Sequence, residues 1–142
     1  MASALTTQFR TDAMAATCTA SSSRYRAYFY GSANAPSAST TAYTSTGQIA
    51  NSTNYPNTGA AATDGVVLTS TVSTNTMTFT DKVVTSAAGE TIGPVYYVLI
   101  CDTSTSNHTV AFLDYSSTPQ TASNGGTMTL DFGAATITLT VA

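Results

Sequence analysis

The chain has 142 residues, of which only 8% are Lys, Arg, Asp or Glu, whereas 30 are Thr and 17 are Ser. The length suits one domain with its own core, and the net charge of −3 argues against a nucleic-acid binder held by phosphate contacts. One His, one Lys and two Cys leave little material for catalysis or metal binding. The longest apolar stretch, residues 95–101, is far shorter than the ~20 residues that span a bilayer. Composition therefore favours a structural protein that binds neither nucleic acid nor a membrane.

The first twenty residues predict an N-terminal arm or a short helix. Leu5, Phe9 and Ala13 recur at helical spacing, but a helix this short is marginal by itself in water. The segment therefore needs a surface to lie on, either its own domain or a neighbouring subunit. No basic residue precedes Arg10 and no continuous apolar core follows it, so we expect no secretory signal peptide. We accordingly expect Cys18 and Cys101 to be reduced, structural thiols.

Residues 21–142 predict a single β domain. Residues 24–30 are rich in aromatic side chains and predict a strand. A loop follows at 31–39, then a short strand or extended segment at 40–49. Residues 51–64 are rich in Asn, Pro and Gly and predict a long loop, a kind of segment that is usually functional or mobile.

The second half of the chain predicts three hairpins from period-two alternation. The first joins 66–72 to 76–80, and a loop is expected over 85–94. Residues 96–101 are apolar on both faces, which predicts a central strand covered on both sides and paired with 109–115. After a loop over 116–126, the last hairpin pairs 127–132 with 135–142. Seven or eight such strands indicate an antiparallel β-sandwich, jelly-roll-like or Ig-like.

Only one short region could supply a Ser-His-Asp arrangement. Asp102, Ser104, His108 and Asp114 lie within one predicted hairpin, but no GxSxG turn accompanies them. One His and two distant Cys do not make a zinc site, and no calcium-loop spacing is present. We therefore interpret these residues as turn residues of a polar loop, and we predict no catalytic, metal-binding or cofactor-binding residues and no enzymatic activity.

Aromatic side chains supply the candidates for an interaction surface. Alternation places Tyr25 and Phe29 on the core face of the first aromatic strand and Arg26, Tyr28 and Tyr30 on the other face. An Arg between two Tyr has the composition of a protein–protein hot spot, although cross-strand aromatic pairing would explain it equally well. The candidate interface residues are Leu5, Phe9, Arg10, Arg26, Tyr28, Tyr30 and Tyr55.

Two stretches of the chain together resemble small virion structural proteins of tailed bacteriophages. They are YRAYFYGSANAPSASTTAYTSTGQI (25–49) and YYVLICDTSTSNHTVAFLDYSSTPQTASNGGTMTLDFGAATITLTVA (96–142). The shared pattern is an early aromatic strand, a TTAYT…G segment, an AFLDY strand, an Asn-Gly turn and a closing LDF hairpin. The resemblance covers roughly half of the chain and implies a β-rich, non-enzymatic protein of the phage particle, of the capsid cement or decoration type or of the tail.

These observations lead to one expected function and two alternatives. We expect a self-associating capsid cement or decoration protein that is assembled in the host cytoplasm, binds the major capsid protein or other virion proteins, and needs no cofactor. A tail-associated or fibre-like virion protein is the first alternative. A carbohydrate-binding module or glycan-active enzyme is the second, and it requires the aromatic face of 25–30 to be exposed and flanked by carboxylates.

Overall fold

The structure, a computed structural model, describes residues 2–8, 24–73, 76–104, 107–132 and 137–138. These residues form twelve strands: β1 (Ala2–Leu5), β2 (Tyr25–Tyr30), β3 (Val66–Val67), β4 (Ser70–Ser73), β5 (Thr76–Phe79), β6 (Lys82–Thr85), β7 (Thr91–Val95), β8 (Tyr97–Asp102), β9 (His108–Asp114), β10 (Gln120–Ser123), β11 (Thr127–Leu130) and β12 (Ile137–Thr138). Every strand pair is antiparallel. The predicted all-β class is confirmed, and the described strands form a sandwich-like fold without closing into a barrel.

The largest sheet has the strand order β1-β9-β8-β2-β3. Its central strand is β8, where the sequence predicts a strand covered on both sides. Val98 and Ile100 point into the main core, whereas Leu99 and Cys101 belong to a separate apolar cluster on the opposite face of the sheet. Two buried faces explain why the segment is apolar without alternation.

Shorter strands form the layer that packs on the main face of the large sheet. They make two pairs, β10-β7 and β11-β6, and one three-stranded sheet, β12-β5-β4. Side chains of this layer, such as Phe79, Ile92 and Leu130, join Tyr25 and Phe29 of β2 in one buried cluster. The Tyr25 and Phe79 rings meet edge to face with their centroids 5.5 Å apart, which is an arrangement that aromatic pairs favour.

Several predicted strand partners differ from those in the structure. The predicted last hairpin is wrong, because β11 pairs with β6 and β12 pairs with β5. The segments 85–94 and 116–126 are predicted as loops but contain β7 and β10, which pair with each other, so the strands outnumber the predicted seven or eight. The β4–β5 hairpin is confirmed, while β3 leaves it to pair with β2. Alternation specifies which face of a strand is buried, but it carries no information about the neighbouring strand.

The described N-terminal residues form an extended strand at the edge of the large sheet. Ala2–Leu5 pairs with β9 in register with Asp114 to Ala111, which corresponds to the extended alternative for this part of the predicted arm. Thr6 is buried, and its backbone N–H donates a hydrogen bond to Val110 O. The rest of the predicted arm, residues 9–20, lies outside the described residues. No helix within the described residues is long and apolar enough to cross a membrane.

Candidate functional site

The three tyrosines of the candidate interface lie inside the fold. Tyr28, Tyr30 and Tyr55 each expose at most 1% of their surface, so of the two interpretations of the aromatic strand the described fold favours internal packing over an exposed face. The face that carries Tyr28 and Tyr30 is covered because the segment between β2 and β3 folds back over the sheet and places Tyr43 and Ala61 against it. The rings of Tyr28 and Tyr43 pack with their centroids 4.5 Å apart. These tyrosines therefore stabilise the chain internally.

Hydrogen bonds from β2 hold this covering segment in place. The Tyr28 hydroxyl donates to Ala61 O at 2.5 Å, and the Tyr30 hydroxyl donates to Thr44 O at 2.6 Å. Burial raises the pKa of both phenols well above the ordinary value of 10.0, so both remain neutral donors at physiological pH. Buried phenols satisfied in this way have no polar group left for an external partner.

Tyr55 completes the edge of β2 beyond the first residue of β3, which pairs no further than Ala27. Its hydroxyl accepts a hydrogen bond from Phe29 N at 2.7 Å and lies 2.7 Å from Gln48 Oε1, to which it donates. Its ring stacks on the Phe29 ring at 4.5 Å, with an interplanar angle of 7°. Ile49 N donates to Phe29 O at 3.0 Å. The covering segment therefore supplies, from a side chain and a loop backbone, the hydrogen bonds that a longer β3 would supply.

Asp64 organises the end of the same segment. Its carboxylate is fully buried and accepts hydrogen bonds from Thr58 N and Oγ1, both at 2.8 Å, from Gly59 N at 2.7 Å and from the Tyr43 hydroxyl at 3.1 Å. Burial acts to raise the pKa of Asp64, but these hydrogen bonds outweigh it and hold the pKa below its ordinary value of 3.8. No sequence pattern used above singles out Asp64. The turn-forming run that precedes it in the sequence, Asn57 to Gly59, is a signal that could have indicated a buried acceptor.

The remaining interface candidates occupy different places. Arg26 is half-buried on β2, and its Nη1 donates to the carbonyls of Thr63, Asp64 and Gly65 at 3.1, 2.8 and 3.4 Å. Its guanidinium therefore fixes the loop that precedes β3. Leu5 pairs through its backbone with Ala111 at the sheet edge. Phe9 and Arg10 lie outside the described residues.

The Ser-His-Asp candidates lie on β8, on β9 and in the turn between them. Asp102 is buried in an ion pair with Arg24, whose Nε lies 2.7 Å from both carboxylate oxygens. The Ser104 hydroxyl donates to Asp102 Oδ1 at 2.8 Å, and His108 Nδ1 lies 3.3 Å from Gln8 Nε2. Asp114 lies six positions along β9 from His108, roughly 20 Å away for an extended strand. His108 is the register partner of Asp102 across β8 and β9, so Asp102, Ser104 and His108 lie at one end of this hairpin, whereas Asp114 lies at the other end of β9.

The described residues contain neither a cluster of metal-ligating side chains nor an exposed thiol. No group of three or more His, Cys, Asp or Glu side chains lies close enough there to hold a metal ion. Cys101 is a free, buried thiol whose pKa is raised by burial, as expected of a structural cysteine. Cys18 lies outside the described residues.

A shallow groove separates β3 from β6 on the surface. It has a volume of about 350 Å³ and is lined by eight residues, Asn54, Gly65, Val66, Val67, Lys82, Val83, Val84 and Thr85. Val67 and Val83, the two large hydrophobic side chains that are exposed in the described part of the chain, both line it, with 38% and 56% of their surfaces accessible. Alternation in the sequence places Val67 on an outward face, but nothing in the sequence brings it near Val83.

Most of the charged side chains in the described residues bind their own chain. Besides the Arg24–Asp102 pair, the Glu90 carboxylate accepts hydrogen bonds from Thr53 N and Oγ1. Asp81 Oδ1 accepts from Phe132 N, and Asp114 Oδ1 accepts from Ser116 N, both at 2.8 Å. The outward-facing positions are mainly Ser, Thr, Ala and Asn. Among the described residues, charged side chains are therefore few at the surface, and most of them are engaged by hydrogen bonds or ion pairs within the chain.

Comparison with protein-family models, with curated proteins and with solved structures gives no match for this chain.

Proposed function

We propose that the protein is a non-enzymatic structural subunit of a bacteriophage virion, and that it binds the major capsid protein lattice as a cement or decoration protein. The observation that carries the proposal is the surface of the described residues: charged side chains are few, most of them bind their own chain, and Thr and Ser occupy many of the outward positions. Charge on exposed strands is a common device against association. A subunit that is permanently packed among its neighbours does not need this charge.

Two features of the fold support the same proposal. Ser, Thr and Ala lose little side-chain entropy when they are immobilised, and hydroxyl groups can bind a neighbour directly or through water. In addition, β1 forms the outer strand of the large sheet among the described residues, so its outer edge could offer backbone hydrogen bonds to a neighbouring subunit. Such a surface supports self-association of the chain on the lattice. In this proposal the particle is assembled in the host cytoplasm.

The carbohydrate-binding alternative loses the feature on which it depends. It requires an exposed aromatic platform on β2, but Tyr25, Tyr28, Phe29 and Tyr30 are all buried. Sugar-stacking rings must present a face to solvent. The described part of β2 therefore offers no such surface.

Cryo-electron microscopy of purified phage particles that encode this chain tests the proposal directly. We expect density for the β-sandwich at repeated positions on the capsid lattice, and loss of that density in particles made without the gene. Particles that lack the protein should also release their DNA at a lower temperature than intact particles. Density confined to the tail would replace the cement role with the tail-associated one. Absence of the chain from purified particles would refute a virion role altogether.

A further inference from the structure

Within the described residues, the strand edges that border the β3–β6 groove carry backbone groups without a hydrogen-bond partner. In β6, Thr85 O accepts from the Asn54 side chain at 2.9 Å, whereas the next residue, Ser86, donates through its N–H to Gly126 O beyond the end of β11. Backbone groups alternate in direction along a strand. The N–H and C=O of Val83 therefore point to the same side as Thr85 O, away from β11 and toward the groove.

The edge of β3 shows the same arrangement. Leu68 N donates to Tyr25 O at 2.9 Å, so alternation turns the N–H and C=O of Val67 away from β2. Within the described part of the chain, neither Val67 nor Val83 has a backbone partner on its outward side. The two residues with open backbone groups are thus also the two with exposed apolar side chains.

We propose that this groove is a docking site for an extended segment of a partner protein, which adds as a strand to the edge of β6 and covers Val67 and Val83. An added strand would satisfy the Val83 backbone and bury both valine side chains, which is how sheet edges commonly recognise peptides. The binding energy comes from main-chain hydrogen bonds and apolar burial, and the side chains of the incoming segment provide the specificity.

Charge defines the chemistry of the occupant. Lys82, the single lysine of the sequence, lines the groove, and no acidic side chain of the described residues pairs with it. Its chain neighbour Asp81 is engaged with Phe132 N. The partner segment therefore alternates apolar and small polar residues and carries a carboxylate opposite Lys82. A second copy docked groove to groove would instead bring two Lys82 ammonium groups together, which is unfavourable.

This inference does not rest on the proposed function, because it can be tested on the isolated full chain. The probes are two synthetic peptides of about six residues, a common strand length, that alternate Val with Thr and differ only in a central Glu or Lys. Amide shifts of the ¹⁵N-labelled protein report where they bind. We expect saturable shifts confined to β3, β6 and their flanks, with the Glu peptide binding about tenfold more tightly than the Lys peptide.

Three variants make the test specific. Val83→Pro removes the outward N–H without breaking a hydrogen bond to β11, and a sheet edge tolerates proline at such a position. This substitution should weaken binding of the Glu peptide at least about tenfold. The matched control Val83→Thr keeps the N–H and the branched shape and should weaken binding less than about threefold. Lys82→Glu should reverse the preference between the two peptides, and it keeps the test decisive if Val83→Pro unfolds the chain.

Each remaining outcome overturns the proposal. Shifts that map elsewhere, equal binding by the Val83→Pro and Val83→Thr variants, or absence of saturable binding would show that the groove does not accept a strand. If sedimentation shows self-association that Val83→Pro abolishes, the occupant is a second copy, and the assignment to a partner protein is wrong.

Discussion

Replacing Tyr55 with Phe tests whether a loop side chain completes the large sheet. The substitution keeps the ring that stacks on Phe29 but removes the hydroxyl that accepts from Phe29 N and donates to Gln48. A buried N–H left without a partner costs about 1–3 kcal/mol, and the lost bond to Gln48 adds about 0.5–1.5 kcal/mol. We expect the free energy of unfolding to fall by about 2–3 kcal/mol.

Urea denaturation followed by circular dichroism measures this loss. For an m-value of about 1–3 kcal/mol/M, the midpoint should fall by roughly 0.7–3 M with the slope unchanged. The Phe29 amide, which is buried in the native protein, should also exchange with solvent much faster in the variant. Tyr97→Phe is the matched control, since no hydrogen bond of the half-buried Tyr97 hydroxyl occurs among the described residues. A loss below about 0.5 kcal/mol for Tyr55→Phe, or an equal loss for the control, would refute the reasoning.

Three further predictions concern glycine geometry and buried carboxylates. Gly65→Ala should lower the free energy of unfolding by about 3 kcal/mol, because Gly65 has a φ of +69° and a Cβ would lie 2.4 Å from Ala27 O; thermal melting measures this. Asp102→Asn should cost about 3–5 kcal/mol in urea denaturation, since it leaves the guanidinium of Arg24 largely buried without its carboxylate. Hydrogen bonds hold the pKa of Asp64 below 3.8 despite burial. The stability that the Asp64 carboxylate contributes is therefore complete above pH 3.8 and is lost as the pH falls through the lower pKa of the folded state. Asp64→Asn should flatten this part of an acid-denaturation curve.

The first of these three predictions has a control variant, and each of the other two has an outcome that would contradict it. Gly59 also has a positive φ, +91°, but a Cβ there meets nothing within 4 Å, so Gly59→Ala should cost about 1 kcal/mol, the backbone strain alone. Equal losses at the two glycines would contradict the steric argument. Full stability of Asp102→Asn would show that the ion pair contributes no more than its desolvation costs. An acid-denaturation curve unchanged by Asp64→Asn would assign the acid sensitivity to other carboxylates.

The sequence predicts strands better than it predicts what covers them. Residues 96–101 are apolar at every position, and the structure places them in β8 at the centre of the large sheet. The burial of Tyr28 and Tyr30 on β2 could not be predicted in the same way. Alternation puts both on one face, but whether that face is wet depends on where the segment between β2 and β3 folds.

The candidate groove illustrates the same limit. An outward position for Val67 follows from the local pattern, and the apolar residues of β6 are visible in the sequence. Their approach depends on β3 pairing with β2 and on β6 pairing with β11, which are long-range choices that no local pattern encodes. Asp64 is similar, because its turn-forming neighbours are visible while its burial is a tertiary property.

The pairing of β1 with β9 has a consequence for how the chain folds during synthesis. Leu5 leaves the ribosome early, but its strand partner Ala111 follows more than a hundred residues later. At 5–20 residues per second, the first strand waits roughly 5–20 s for its partner. Such distant pairings also give a high contact order and slow folding. The outer strand of the large sheet therefore cannot dock before β9 is synthesised, and until it docks the edge of β9 stays open to the strands of other nascent chains.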